Sequence, residues 1–325
     1  MGELNVRIRL GSPGADETDA GAVLAKNTTV WRPLLTSLRP YQWVKNSLLF
    51  GGLIFSRSLA DTNAVWLTVG AFFSFCMASS GIYLLNDLRD LVEDRAHPLK
   101  RLRPLASGAL NPTVAKATMA VLMVAALICG FRLRTNFGWT LLAYVLINLA
   151  YSIRLKRVVI LEVMIVAVCF VVRAVAGAVV IGVSPSSWLV LCTLMLALLV
   201  GFGKRRHEKT LMNTSARNHR ASLEQYTLQF LDLMMAISAG AAVVTYALYT
   251  MAEETVRRFG SGHLVLTVPF VVYGIFRYLF LIHQSSAGGD PSRLFVTDRP
   301  TIINCVLWIS VVCVIVYGSN QWLPW

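Results

Sequence analysis

The sequence predicts an all-α, polytopic membrane protein with nine transmembrane helices, and three observations support this fold class. Only 14% of the 325 residues are charged and 56% are hydrophobic, whereas a soluble domain carries about 25% charged residues. Several apolar stretches approach the roughly 20 residues with which a helix crosses a hydrocarbon core. They lack the alternating pattern of membrane β-barrels, so helices are the structure that satisfies their backbone in lipid.

The elements follow in chain order. Residues 1–36 are rich in small and polar residues, lack the apolar core of a signal peptide, and are predicted to be a mobile cytoplasmic tail. Residues 37–325 form the predicted catalytic domain, a bundle with its active-site loops in the cytoplasm. Its nine apolar segments lie at about 41–58, 64–86, 112–131, 137–153, 158–182, 186–203, 228–251, 264–283 and 301–319.

The distribution of Lys and Arg predicts the orientation. With the N-terminus placed inside, the tail and the inside connections carry 22 Lys and Arg, the opposite side carries 5, and 3 lie within helices. Because cytoplasmic connections carry the basic excess, the sequence predicts a multi-pass inner (plasma) membrane protein with its active site facing the cytoplasm. The net charge of +13 comes largely from these short connections, so no nucleic-acid partner is expected.

An acidic stretch runs directly on from the second apolar segment. At about 100° per residue, Asn86, Asp87, Asp90 and Asp94 share one face of a helix. Three carboxylates and an amide are the hard oxygen ligands that Mg²⁺ takes together with substrate phosphates. The alternative is a solvated acidic face, but acids beside a membrane span are costly unless they serve a function. Asp87, Asp90 and Asp94 are therefore the predicted metal ligands.

Basic and polar residues on the same predicted face of the membrane are the candidates for binding phosphate groups. Cations near a carboxylate-bound metal help to neutralise a diphosphate, although positive-inside topology and the helix dipole also explain many of them. For Glu162, the alternative to a functional role is an ion pair with Arg173 or another base. The candidates are Lys45, Arg95, Lys100, Arg101, Arg103, Tyr151, Lys156, Glu162, Lys204, Arg205 and Glu208.

With these motifs, the chain resembles the UbiA superfamily of intramembrane prenyltransferases, over roughly residues 37–319. Two stretches carry the superfamily resemblance: Asn-Asp-x-x-Asp-x-x-x-Asp at 86–94 and Tyr-x-x-x-Leu-Lys at 151–156. A narrower set resembles the branch that transfers phosphoribose to a lipid phosphate. These motifs lie at 39–46, 94–104, 162–163, 173–177, 204–208 and 222–226.

The resemblance implies Mg²⁺-dependent transfer of 5-phosphoribose from phosphoribosyl pyrophosphate to a polyprenyl (decaprenyl) phosphate. Diphosphate would be released, and the product would serve cell-wall arabinan or glycolipid synthesis. By the same resemblance, Asp87, Asp90 and Asp94 hold the metal, and Glu162 and Glu208 bind ribose hydroxyls or orient bases. The implied phosphate ligands are Arg95, Lys100, Arg101, Arg103, Lys204 and Arg205, with Lys45, Tyr151 and Lys156 at the rim.

Two other functions stay open at this point. An aromatic prenyltransferase of quinone biosynthesis would use a polyprenyl diphosphate, and such enzymes resemble designs with a second Asp-rich cluster after the fourth helix. Here that place offers one acid, Glu162, among Arg154, Lys156 and Arg157. A polyprenyl-phosphate-binding transporter is the third reading, but the sequence has no inverted repeat and no matching pair of broken helices. A homo-oligomer is compatible with the sequence.

Overall fold

A computed structural model describes residues 31–97, 100–214, 221–284 and 297–318, and these residues contain helices and no strand. Short 3₁₀-helices cover Pro40–Leu48, Lys100–Leu102, Leu155–Arg157 and His263–Thr267. The α-helices are α1 (Trp31–Leu38), α2 (Leu49–Phe55), α3 (Thr62–Arg89), α4 (Leu91–Ala96), α5 (Pro112–Leu133), α6 (Thr135–Ile153), α7 (Leu161–Val180), α8 (Ser187–Thr214), α9 (Ala221–Glu224), α10 (Leu228–Met251), α11 (Glu253–Phe259), α12 (Val268–Gln284) and α13 (Arg299–Gly318). The all-α prediction is confirmed.

Eight helical segments among the described residues are long and apolar enough to cross a membrane, so the count of nine is not confirmed. The first predicted segment, 41–58, is a 3₁₀-helix followed by the short α2. Gln42 and Asn46 of that 3₁₀-helix are buried, while Tyr41 and Val44 are exposed. Residues 1–30 of the predicted tail lie outside the described residues, and α1 begins at Trp31. The division of the chain at residue 37 stays a prediction.

The two largest apolar clusters of the interior both include residues of α7. One cluster packs α3, α5, α6 and the second half of α7 around Phe75, Phe137 and Tyr144. The other packs α8, α10 and α12 around Leu199 and Leu231, with Val163 at the start of α7. The first turn of α7 therefore lies where the two halves of the bundle meet, at the end where α3 finishes. We call this end of the bundle the Asp87 end.

A contact between two backbones joins α2 to α7. A Cβ atom added at Gly177 would lie 2.0 Å from the carbonyl oxygen of Leu49, and one added at Gly52 would lie 2.6 Å from the nitrogen of Ala178. Because both obstacles are backbone atoms, no side-chain movement relieves the clash. Glycine at these two positions lets α2 lie directly on α7, and this contact places the preceding residues Lys45 and Asn46 beside the bundle.

We expect Gly177→Ala to lower the melting temperature of the detergent-solubilised protein, because the new methyl group must push α2 away from α7. Overpacking of this kind costs about 1–3 kcal/mol or more. Gly240→Ala is the matched control, since its added Cβ meets nothing within 4 Å. Equal melting temperatures for the two variants would show that the close contact does not form.

Candidate functional site

Two buried carboxylates converge on one cation at the Asp87 end. Arg103 Nη1 lies 2.6 Å from Asp94 Oδ2 and 3.2 Å from Asp87 Oδ1, and Arg39 Nη2 lies 2.5 Å from the same Asp87 oxygen. Asp87 and Asp94 are each 3% exposed. Buried carboxylates need cationic partners because they have lost their hydration, and the two arginines are these partners. The site thus has a centre at which two carboxylates share one positive charge.

The side chain of Asp90 contacts a different base from the side chains of Asp87 and Asp94, because the helix bends at Asp90. Asp90 has φ −91° and ψ 13°, so α3 ends at Arg89 and α4 starts at Leu91. Its Oδ1 accepts a hydrogen bond from Lys156 Nζ at 2.6 Å. One turn earlier, the Ser152 hydroxyl donates to Asn86 Oδ1 at 2.5 Å. The acidic stretch is thereby tied to the end of α6 and to the 3₁₀-helix that follows.

A second charged group lies at the start of α7. Glu162 is completely buried, and Arg205 Nε lies 3.1 Å from its Oε1. Arg205 is itself 5% exposed, and its Nη1 also contacts Glu208 one turn along α8. The guanidinium lies between two carboxylates, and its removal would leave the buried Glu162 without a cation. Of the partners considered for Glu162, the structure selects Arg205; Arg173 instead bonds to Asn46 and Tyr144.

The donor set fits a divalent cation, although the carboxylates do not form a ready three-ligand cage. Among the described residues, no group of three His, Cys, Asp or Glu side chains is arranged to hold a metal ion. Asp87 and Asp94 nevertheless meet at a position occupied by a cationic nitrogen, Arg103 Nη1. Mg²⁺ commonly binds through one or two carboxylates and completes its shell with water and phosphate oxygens. This pair of hard oxygen ligands suits that mode.

The remaining predicted site residues differ in their exposure. Lys45, Asn86, Lys100 and Tyr151 are half-buried, while Arg95, Arg101 and Lys204 are exposed. The structure thus brings Asp87, Asp94 and Arg103 together, pairs Asp90 with Lys156, and joins Glu162, Arg205 and Glu208. Each exposed base stands one or two residues in sequence from a member of these groups, and the assignment of these bases as phosphate ligands stays a prediction.

Two residues in contact with the site were not among the predicted site residues. Arg39 reaches Asp87 from a left-handed backbone conformation, with φ 53° and ψ 59°, and its guanidinium lies over the ring of Tyr83. Ser152 bonds to Asn86. Arg39 lies in the motif at 39–46 and Ser152 lies in the motif at 151–156, so these motifs could have identified both as site residues. The partners in these two contacts are 48 and 66 residues apart in the chain. No local sequence pattern predicts a contact over such a separation.

Comparison with known proteins identifies relatives of this chain. The model of the UbiA prenyltransferase family matches residues 47–297. The decaprenyl-phosphate phosphoribosyltransferase of Mycolicibacterium smegmatis is 33% identical over 299 residues, which cover 88% of this chain and 93% of that protein. The protein of the same name from Mycobacterium tuberculosis is 32% identical, over 86% of this chain and 92% of the relative.

A solved structure shares the fold. A UbiA homologue from Archaeoglobus fulgidus, bound to DMAPP and Mg²⁺, superposes with a TM-score of 0.64 over 87% of this chain and 99% of that chain. Its sequence is 18% identical, so this likeness concerns the fold alone. The helical bundle is thus a known architecture.

Proposed function

Because this chain belongs to the UbiA prenyltransferase family and is a membrane-embedded transferase, we propose that it transfers 5-phosphoribose from phosphoribosyl pyrophosphate to a polyprenyl phosphate. Diphosphate would be the second product. The relatives at 32–33% identity carry the name of such an enzyme, which supports the proposal. We further propose that the product is a lipid-linked precursor for cell-wall arabinan or a glycolipid.

One observation carries the choice of donor: each acid of the site already contacts a base. Arg39 and Arg103 contact Asp87, Lys156 contacts Asp90, and Arg205 contacts Glu162. The 3₁₀-helix that contacts the acidic stretch supplies a lysine. An aromatic prenyltransferase would be expected to have a second acidic cluster at this place. A site rich in guanidinium and ammonium groups favours a donor with a diphosphate and a further phosphate, meeting an acceptor that is itself a phosphate.

In the proposed mechanism the protein positions two anions and stabilises the leaving group. Asp87 and Asp94 would hold Mg²⁺, with Asp90 and Asn86 beside them, and the ion would neutralise charge on the diphosphate. Arg103 and Arg39 would bind phosphate oxygens once they release the carboxylates. The Glu162–Arg205 pair would orient the ribose or its phosphate. Preorganised charges of this kind act most strongly where water is excluded.

The acceptor requires little activation. A phosphate monoester is anionic at neutral pH, so no strong general base is needed, and positioning supplies much of the rate. An acceptor oxygen would form the new bond to the anomeric carbon as the bond to diphosphate breaks, and the bonding electrons would leave with diphosphate. Attack opposite an α-configured leaving group would give the β-product. Lys45 and Lys156 are the bases proposed to receive the lipid phosphate.

Donor choice is the direct test of this proposal. We expect the purified protein, with Mg²⁺, to form a phosphoribosyl lipid from phosphoribosyl pyrophosphate and a polyprenyl phosphate, detected by mass spectrometry. An allylic polyprenyl diphosphate with 4-hydroxybenzoate should give no product. Prenylation of the benzoate, with the ribosyl donor ignored, would favour an aromatic prenyltransferase. Binding of the lipid phosphate without any reaction would favour a transporter.

The proposed cytoplasmic position of the site has its own test. We expect a reporter fused after Trp325 to lie on the non-cytoplasmic side, and a reporter inserted in the 207–222 segment to lie in the cytoplasm. The reason is the 22 to 5 distribution of Lys and Arg. The two fusions control for each other, and exchanged results would place the Asp87 end outside the cytoplasm.

A further inference from the structure

A strained turn precedes α7. Ile160 has φ 67° and ψ −52°, and Leu161 N donates to the carbonyl oxygen of Val159 at 2.7 Å. These are the dihedral angles and the hydrogen bond of the rare γ-turn with positive φ. A β-branched residue disfavours positive φ. Such strain persists only where the surrounding structure imposes it, so neighbouring groups must hold this turn.

The hydroxyl group of Tyr226 contacts this turn. It accepts a hydrogen bond of 2.6 Å from the backbone nitrogen of Ile160, although the two residues are 66 positions apart in the chain. The side chain is 2% exposed, and its ring stacks on Phe230 with centroids 5.9 Å apart. Burial raises the pKa of the Tyr226 phenol, so it remains a neutral hydroxyl at physiological pH. The tyrosine is thus a fixed acceptor aimed at the turn.

The turn lies in the chain between residues of two ion pairs, Asp90–Lys156 and Glu162–Arg205. The carbonyl oxygen of Ile160 accepts the first bonds of α7, from Val163 N and Met164 N, both at 3.0 Å. Two residues after the turn, Glu162 pairs with Arg205; four residues before it, Lys156 pairs with Asp90. A change of φ at Ile160 would therefore rotate one ion pair with respect to the other.

We propose that Tyr226 is a positioning residue, whose hydroxyl holds the strained turn at Ile160 and so aligns the Glu162–Arg205 pair with the Asp90–Lys156 pair for donor binding. This inference rests on the proposed function for its substrate. Its structural core, that one hydroxyl maintains the turn, does not depend on which donor is used.

The test removes the hydroxyl and then removes the strain. In the full-length purified enzyme, we expect Tyr226→Phe to raise the KM for phosphoribosyl pyrophosphate about three- to tenfold, the effect of one lost hydrogen bond, with a smaller change in kcat. We expect Tyr226→Phe with Ile160→Gly to recover most of that loss, because glycine adopts positive φ without steric cost. The Ile160 side chain is exposed, so its removal opens no cavity.

Tyr246→Phe is the matched control. This tyrosine is also buried, and its hydroxyl bonds to Thr267 and Trp308 in another part of the bundle. We expect it to affect thermal stability without changing the donor KM. An increase in KM with this control as large as that with Tyr226→Phe would attribute the effect to general loosening and overturn the proposal.

Amide hydrogen exchange of the peptide spanning 158–166, measured without substrate, separates this inference from the proposed function. We expect faster exchange in Tyr226→Phe and a return towards the wild-type rate in the double variant. Wild-type exchange in Tyr226→Phe would overturn the inference whatever the donor is. Faster exchange with an unchanged donor KM would also overturn it. Failure of the wild type to use the ribosyl donor would refute the proposed function, and exchange would still decide whether Tyr226 holds the turn.

Discussion

Asp94→Asn is expected to lower turnover at least about a hundredfold, the usual loss when one preorganised charged group is removed from a site. The substitution keeps the shape of the side chain but removes the negative charge that shares Arg103 with Asp87. One of the two carboxylates proposed to hold Mg²⁺ is then lost. Turnover by the purified variant, with saturating donor and lipid phosphate, is the measurement.

Glu93→Gln is the matched control for this experiment. Glu93 precedes Asp94 in α4, yet its side chain is exposed, so its neutralisation should leave turnover near the wild-type value. Chelation by EDTA should reproduce the Asp94→Asn loss in the wild type. If Asp94→Asn turns over like Glu93→Gln, the buried pair of carboxylates has no role in the reaction.

Arg205→Met is expected to have the largest effect on stability. It leaves Glu162 completely buried without its cation, and removal of one partner from a buried ion pair costs about 3–5 kcal/mol. The expected result is a large fall in the melting temperature of the solubilised protein, together with loss of turnover.

A double variant separates stability from function at this position. Arg205→Met combined with Glu162→Gln should recover much of the melting temperature, because no completely buried charge is then left without its partner. Turnover should stay low, since neither group is left to orient the donor. Recovery of turnover together with stability would make the pair purely structural.

The fold and the chemical character of the site follow from local patterns in the sequence, and this explains what could be predicted. Apolar length identifies the spans, because lipid admits few ways of satisfying a backbone. The spacing of Asp87 and Asp94 places both on one face, and both are buried at the Asp87 end. The same helical spacing also grouped Asp90 with them. It did not anticipate the bend at Asp90 itself, where the backbone leaves the helix.

What could not be predicted depends on pairings between distant segments. Glu162 had two kinds of partner open to it, and only the packing of α7 against α8 selects Arg205 over Arg173. Arg39, which precedes Pro40, contacts Asp87 from a left-handed backbone conformation. This conformation is uncommon for arginine. The 3₁₀ form of Pro40–Leu48 was likewise unexpected, because apolar length does not distinguish helix types.

The shared contact of Arg103 with Asp87 and Asp94 also affects how the site fills. The centre of the site is close to electroneutral, because the two carboxylates of Asp87 and Asp94 contact two guanidinium groups of the same chain, those of Arg103 and Arg39. Under the proposed function, substrate binding would be an ion exchange: Mg²⁺ would displace the Arg103 guanidinium from the carboxylates, and the released guanidinium would bind a phosphate group of the donor. Neither step of this exchange leaves an unpaired charge in a medium of low dielectric constant. The cation and the anion should therefore bind with positive cooperativity.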